Sequence, residues 1–313
     1  MRQLVTDLLE FVSTREADRA DGGRVLPGVI AENCTGCALC AKACGSFVLE
    51  IHNGKASVVH GDRCVQCGHC VAVCPVDALE DRYAGAEDTP VFDPGRLPSD
   101  KSLFTFFRSR RSVRHYRRKP VSRKHLDRIL DAGRYAPTAG NRQEVYHIVL
   151  TDQKEIQELC DMVFTSVLKM FKKFEKRAFF TLMSFLLGPA NAKSLKNYVP
   201  LLELFHEKWE RHGDDRIFYH APAIILTHGP RWDDTVSFSC VAVLYQASLM
   251  AQSLNVGCCF NGFLQVASNT DGKIKKWLGI PSRHKCYGAM TLGYPKMKYR
   301  RLVRRDPPKV TWR

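Results

Sequence analysis

The chain has 313 residues, 45% of them hydrophobic, with 13 cysteines and a formal net charge of +15. Ordinary hydrophobic content describes a globular protein, and the sequence holds no apolar run of about eighteen residues that would span a membrane. The charge is uneven: residues 1–25 carry −1, residues 26–86 carry −2, and residues 87–313 carry +18. Much of it lies at 108–128 (ten Lys/Arg, one acid) and 296–313 (eight Lys/Arg, one acid). No nucleic-acid motif accompanies these clusters, so nucleic acid is not the expected partner.

Residues 1–25 read as an N-terminal helical extension. Residues 1–12 (MRQLVTDLLEFV) contain acids and no small-residue cleavage site, which fits a short amphipathic helix better than an export signal. A reducing, cytoplasmic setting is the expectation, and it suits the cysteines that follow. Cys34-x2-Cys37-x2-Cys40-x3-Cys44 is repeated as Cys64-x2-Cys67-x2-Cys70-x3-Cys74, with Pro75 after the second copy. An iron–sulfur cube needs four thiolates from different directions, and a tight loop supplies three. In a two-cluster ferredoxin the fourth comes from the other motif. One [4Fe–4S] cluster is therefore expected on Cys34, Cys37, Cys40 and Cys74, and the other on Cys64, Cys67, Cys70 and Cys44. The spacing resembles that of bacterial ferredoxins. The rival reading is a pair of structural zinc sites, which favour two separated Cys pairs over four cysteines within eleven residues. Gly45 stands where the second motif has Pro75. The cluster domain is placed at 26–86.

Residues 87–99 (EDTPVFDPGRLPS) hold three prolines and a glycine, so a linker is expected over 87–102. A helix enters at Leu103 to Arg108. Ser122 reads as the N-cap of a second helix that Gly133 stops, and Tyr146 to Leu150 reads as a strand. From 157 to 212 the chain is helical. Phe164, Val167, Leu168 and Phe171 follow helical spacing with lysines between them, and 178–187 is almost wholly apolar. This segment is expected to form a helical cap and interface over 157–215; the competing reading is a basic amphipathic helix on an anionic membrane. A long helix follows from about Phe238 to Leu254.

The ordered stretches RRSVRHY (110–116), AGRYAPTAGNRQ (132–143), HAPAIIL (220–226), LNVGCCFNGF (254–263) and LGYPK (292–296) resemble the nitroreductase family of FMN enzymes. The resemblance runs from about residue 103 to the C-terminus. It implies an α+β fold: a bacterial-ferredoxin-like domain fused to a dimeric nitroreductase-like domain (103–313) with a mainly antiparallel central sheet flanked by helices. It also implies FMN as cofactor. Arg110, Arg111 and Ser112 match positions on the phosphate and ribityl side, and Arg114 the position facing the pyrimidine edge. Asn141 matches a position bonding the ring edge, with Gln143 beside it. Asn261 and Gly262 match the segment whose backbone approaches the ring. Arg301 and Arg305 lie where further phosphate ligands are expected, within one or two residues. Phosphate favours Arg for its bidentate geometry. Cys258 and Cys259 read as packing residues near the flavin.

Clusters pass single electrons and flavin accepts one or two. The expected function is an oxidoreductase in which electrons cross two clusters to FMN and reduce a small electron-poor acceptor: a nitroaromatic, quinone or enone. The alternatives are a dehydrogenase or reductive dehalogenase on the same fold, or an electron-transfer module for a protein partner. No separate dinucleotide fingerprint is visible, which favours an external ferredoxin over NAD(P)H as donor. No nucleophile or proton donor is named by the sequence.

Overall fold

The computed structural model describes residues 26–80, 82 and 89–313. The expected N-terminal helix lies outside the described residues. The chain divides into two compact units, residues 1–98 with 139–142, and residues 99–138 with 143–313.

In the described part of the first unit, the cysteine repeat is also a conformational repeat of thirty residues. Gly36 and Gln66, Ala38 and Gly68, and Phe47 and Asp77 all take positive φ, between 48° and 69°. Ala38 and Gly68 each open a short helix, Leu39–Ala43 and His69–Ala72. The left-handed residue in front of each helix bends the cysteine loop back on itself. Strands β1 (Gly28–Val29) and β4 (Leu79–Glu80) pair antiparallel. β2 (Leu49–His52) and β3 (Lys55–Val58) form a hairpin. Gly36 lies against the Gly54 carbonyl of that hairpin, where any Cβ would collide. Leu49, Ala56, Ala78 and Leu79 bury the little apolar surface available around Cys34 and Cys40.

The second unit is built on a four-stranded antiparallel sheet in the order β5 (Tyr146–Leu150), β6 (Ala223–Pro230), β8 (His284–Gly293), β7 (Gly257–Phe260). Central strand β6 is buried along its whole length. Its side chains alternate, as strand geometry requires. Ile224 and Leu226 join one core with helices Gln153–Lys172 and Gly262–Thr270, while Ala223 and Ile225 join the other with Arg123–Gly133 and Asp234–Ser253. Full burial of each such side chain contributes about 1.5–3 kcal/mol.

The helix entered near Leu103 begins earlier, at Asp100, capped by the Ser99 side chain. The expected linker therefore ends in helix. Ser122 caps Arg123–Gly133 by accepting from the His125 N–H at 3.3 Å, and the expected strand 146–150 is β5. The 157–212 excursion resolves into Gln153–Lys172, Arg177–Leu187, Pro189–Asn197 and Val199–His212. The later long helix is Asp234–Ser253.

Candidate functional site

The four cysteines expected to share the first cluster, Cys34, Cys37, Cys40 and Cys74, line one small cavity. Cys74 reaches it from the other motif because the β1–β4 pairing ties the ends of the unit together. Backbone N–H groups aim at sulfur: Ala56 donates to Cys34 Sγ at 3.4 Å, Ala78 to Cys74 Sγ at 3.2 Å and Val48 to Cys44 Sγ at 3.3 Å. The last two repeat one geometry, donor four residues after acceptor. Burial pushes the Cys70 thiol up to about 11, and neighbouring Cys67 and Cys44 push the same way. The Cys44 thiol thus lies near enough to Cys70 to act on it. Among the described residues no three His, Cys, Asp or Glu side chains converge as a single ion requires. Thiols spread around a cavity and supplied with N–H donors fit a cluster, in which each iron meets its own thiolate; a zinc ion gathers all its donors at one point.

The second unit builds its site along residues 110–118. This segment leaves helix Asp100–Ser109 extended at Arg110 and lies alongside β7, with Ser112 bridged parallel to Cys258 and Val113 N donating to Cys258 O at 2.9 Å. Gly257 permits the approach, since a Cβ there would stand 2.6 Å from a Val113 methyl. Val113 and Tyr116 are the buried side chains of this segment. Arg110, Ser112 and Arg114 lie near enough to Cys259 to favour its thiolate, while the thiol itself donates to the Phe260 carbonyl at 3.5 Å. Burial raises the Cys259 thiol against these groups and pushes Cys258 up to about 11. Both are protonated packing thiols near neutrality, as expected.

The Arg111 guanidinium donates to the carbonyls of Arg108 (2.7 Å), Arg110 (2.8 Å) and Arg301 (3.1 Å), which fastens the C-terminal tail. Arg110, Arg111, Arg117, Lys119 and Lys298 line one cavity of about 650 Å³. Lys298 is the tail cation beside Arg110. Arg301 offers its carbonyl to Arg111, and Arg305 donates to the Arg304 carbonyl at 3.2 Å.

Asn141 belongs to the first unit, where its amide donates to the carbonyls of Val65 (3.0 Å) and Gln66 (2.8 Å) in the second cysteine loop. Gln143, exposed and with φ 54°, donates its N–H to Thr138 Oγ1 at 3.1 Å. Asn261 is buried and spends its groups within the fold. Its N–H donates to Ala289, Oδ1 caps helix Gly262–Thr270 through Leu264 N (2.9 Å), and Nδ2 donates to Ile217 O (2.6 Å). Next to it Gly262 faces open space.

The sequence reading missed the loop 214–220. Buried Asp215 accepts from the N–H groups of Ile217 (2.8 Å), Phe218 (2.7 Å) and His220 (2.9 Å). This cage holds Tyr219 and His220 at φ 59° and 52°, a region uncommon for such side chains. Tyr219 is thereby set 5.8 Å from the Arg114 guanidinium. An Asp followed by a stretch that must turn is the available signal, but it reads equally as an ordinary loop.

Residues 107–294, more than half of the chain, match the model of the nitroreductase family, and residues 33–78 match the 4Fe-4S dicluster domain. A ferredoxin of Methanothermococcus thermolithotrophicus is 44% identical over 50 residues, covering 15% of this chain and 83% of that protein. A component of an ion-translocating oxidoreductase complex of Methanosarcina acetivorans is 34% identical over 62 residues; the match spans 20% of this chain and only 23% of that protein. A nitroreductase of Bacteroides fragilis, solved with bound FMN, aligns with a TM-score of 0.50 at 20% identity over 68% of this chain and 100% of that one, a likeness of fold. A sheet edged by the Arg110–Tyr116 segment, a cysteine repeat folded as two cross-tied loops, and these matches lead to one conclusion: the chain belongs to the nitroreductase family and carries a 4Fe–4S dicluster domain of ferredoxin type ahead of it.

Proposed function

We propose that the chain is an iron–sulfur flavoprotein oxidoreductase in which electrons cross two [4Fe–4S] clusters to FMN and then reduce a small electron-poor organic molecule of nitroaromatic, quinone or enone type. The observation that carries this reading is the extended Arg110–Tyr116 segment bridged to Cys258 of β7, beside a cavity lined by Arg110 and Lys298, in a member of this family. FMN supplies the exchange between single-electron and two-electron chemistry; the chain's own groups bind and orient it. Arg110 and Lys298 are the proposed phosphate ligands, with Arg301 and Arg305 extending the basic tail behind them. Ser112 serves the ribityl side. Arg114 faces the pyrimidine edge, where a cation favours negative charge on the ring. Gly262 leaves room for a close approach of the ring. Arg111 also bonds the tail carbonyl of Arg301, and Asn141 bonds the carbonyls of Val65 and Gln66.

The donor is proposed to be a reduced ferredoxin, with NAD(P)H as the rival; a dicluster domain is redundant if nicotinamide alone delivers electrons. A homodimer is proposed because helix Asp234–Ser253 leaves Phe238, Val241 and Tyr245 exposed at helical spacing on the side away from its core face. Its mass in solution tests that. No described helix is long and apolar enough to cross a membrane, and a cytoplasmic setting is proposed. Stopped-flow reduction of the FMN-loaded protein tests the electron path. With Cys40 and Cys70 replaced by Ser, reduction by ferredoxin is expected to collapse; undiminished ferredoxin-driven reduction would refute the path.

A further inference from the structure

Two basic basins lie along the extended segment 110–118, sharing Arg117, and FMN carries one phosphate. The basin at Arg110 takes it under the proposed function, on which this inference rests. The second basin is a cleft of about 490 Å³ beginning at Arg114 and continuing through Arg117, Arg118 and Lys296, with Tyr219 and His220 on its far wall. Backbone pairing sets its cationic wall: Arg117 N donates to Tyr294 O at 2.8 Å, Lys296 N to His115 O at 2.9 Å, and Arg117 Nε to Pro295 O at 3.1 Å.

The two carboxylates in the cleft do not neutralise those cations. Asp214 is gripped by Arg216 through Nε (3.0 Å) and Nη2 (2.8 Å). Asp215 is buried and closed by three backbone N–H groups. No ion pair found among the described residues engages Arg114, Arg117, Arg118 or Lys296. The opposite wall is held in a costly backbone conformation at Tyr219 and His220, and such conformations persist where the surroundings over-determine them, often at ligand sites. A concave basin with converging cations and a pre-set wall suits a small anion better than a flat protein face.

We propose that this cleft binds an anionic group, a carboxylate or phosphate, carried by the small-molecule acceptor, and so selects acidic acceptors. Arg118 and Lys296 meet the anion, and Arg117 holds the wall.

The test uses the purified FMN-loaded, cluster-loaded protein and an Arg118→Ser, Lys296→Ser double variant, both positions being exposed. Calorimetric affinities are measured for 4-nitrobenzoate and its methyl ester, and for NADPH against NADH. The expected result is roughly a tenfold or greater preference for the carboxylate that rises at low salt and disappears in the variant. Far-UV spectrum and bound-flavin absorbance confirm the variant's fold. Equal affinity for acid and ester, or a preference that survives the variant, overturns the proposal. So does a variant that loses only its discrimination between NADPH and NADH, which would place the anion on the donor. Failure of the flavin reading shows separately, as protein that retains no flavin, while the calorimetric ratio still reports on the cleft.

Discussion

Removing the Asp215 carboxylate should both destabilise the nitroreductase domain and release Tyr219 from Arg114. The carboxylate is 5% exposed and receives three backbone N–H groups, at 2.7, 2.8 and 2.9 Å. Hydrogen bonds to a charged group contribute about 1.5–3 kcal/mol each, and a buried donor left unpaired costs about as much. The three bonds share one acceptor and one loop, so their losses overlap. Asp215→Ala is expected to cost about 3–5 kcal/mol. Asp215→Asn keeps an oxygen for Ile217 and Phe218 but turns an amide toward the His220 N–H, at a cost of about 1.5–3 kcal/mol. The positive φ of Tyr219 and His220 then relaxes, because the N–H groups of Ile217, Phe218 and His220 lose their shared acceptor. Urea unfolding of the loaded protein, followed by far-UV circular dichroism, reads the stability, and bound-flavin fluorescence reads the site. An Asp215→Ala protein within about 1 kcal/mol of the parent, or an Asn variant as damaged as the Ala variant, would refute the caged-loop argument.

Cross-ligation predicts which cysteine variants behave alike. Cys74→Ser should lose the same cluster as Cys40→Ser, and Cys44→Ser the same as Cys70→Ser, each with iron content reduced by roughly half; a Cys74→Ser spectrum matching that of Cys64→Ser would contradict the assignment. Arg110→Gln should loosen FMN by roughly tenfold or more through a lost charge-assisted bond, read as faster flavin release on dilution. His228 is held near pKa 4, first by burial and then by His284, His147 and Lys275. Its Nδ1 lies 3.0 Å from His284 Nδ1, a contact that needs a neutral ring. The unfolded chain titrates near 6.5 and binds the extra proton first, so stability is full above about pH 6.5 and falls as pH drops toward 4, by about 3 kcal/mol. Urea midpoints through that range should fall less steeply in a His228→Gln variant, and an unchanged slope would remove His228 from the account.

What the sequence made legible was whatever a few neighbouring residues decide. Cysteine spacing fixes which thiols can share a loop. A Ser before a periodic run makes a cap, as at Ser122, and a β-branched and aromatic run makes a strand, as at Tyr146–Leu150. The motif RRSVRHY was readable as a cofactor segment, but not its division of labour. Which of its cations share a cavity is set by the fold, which bridges Ser112 to Cys258 and brings the tail beside Arg110.

Asn141 and Asp215 mark the limit more sharply, since each has its role assigned by distant chain. Asn141 is bonded to carbonyls about 75 residues away, at Val65 and Gln66. Asp215 bonds its own neighbours, yet matters because Asn261 Nδ2, on another element, holds Ile217 from the other side. Both clamps act on the loop that presents Tyr219 to Arg114. The position of that tyrosine is therefore set by two polar side chains buried behind it. Asn261→Ala should accordingly disturb the same site readout as Asp215→Ala, and the double variant should cost less than the two single costs added, since both substitutions release one loop. Strict additivity would mean that the two residues hold separate structures.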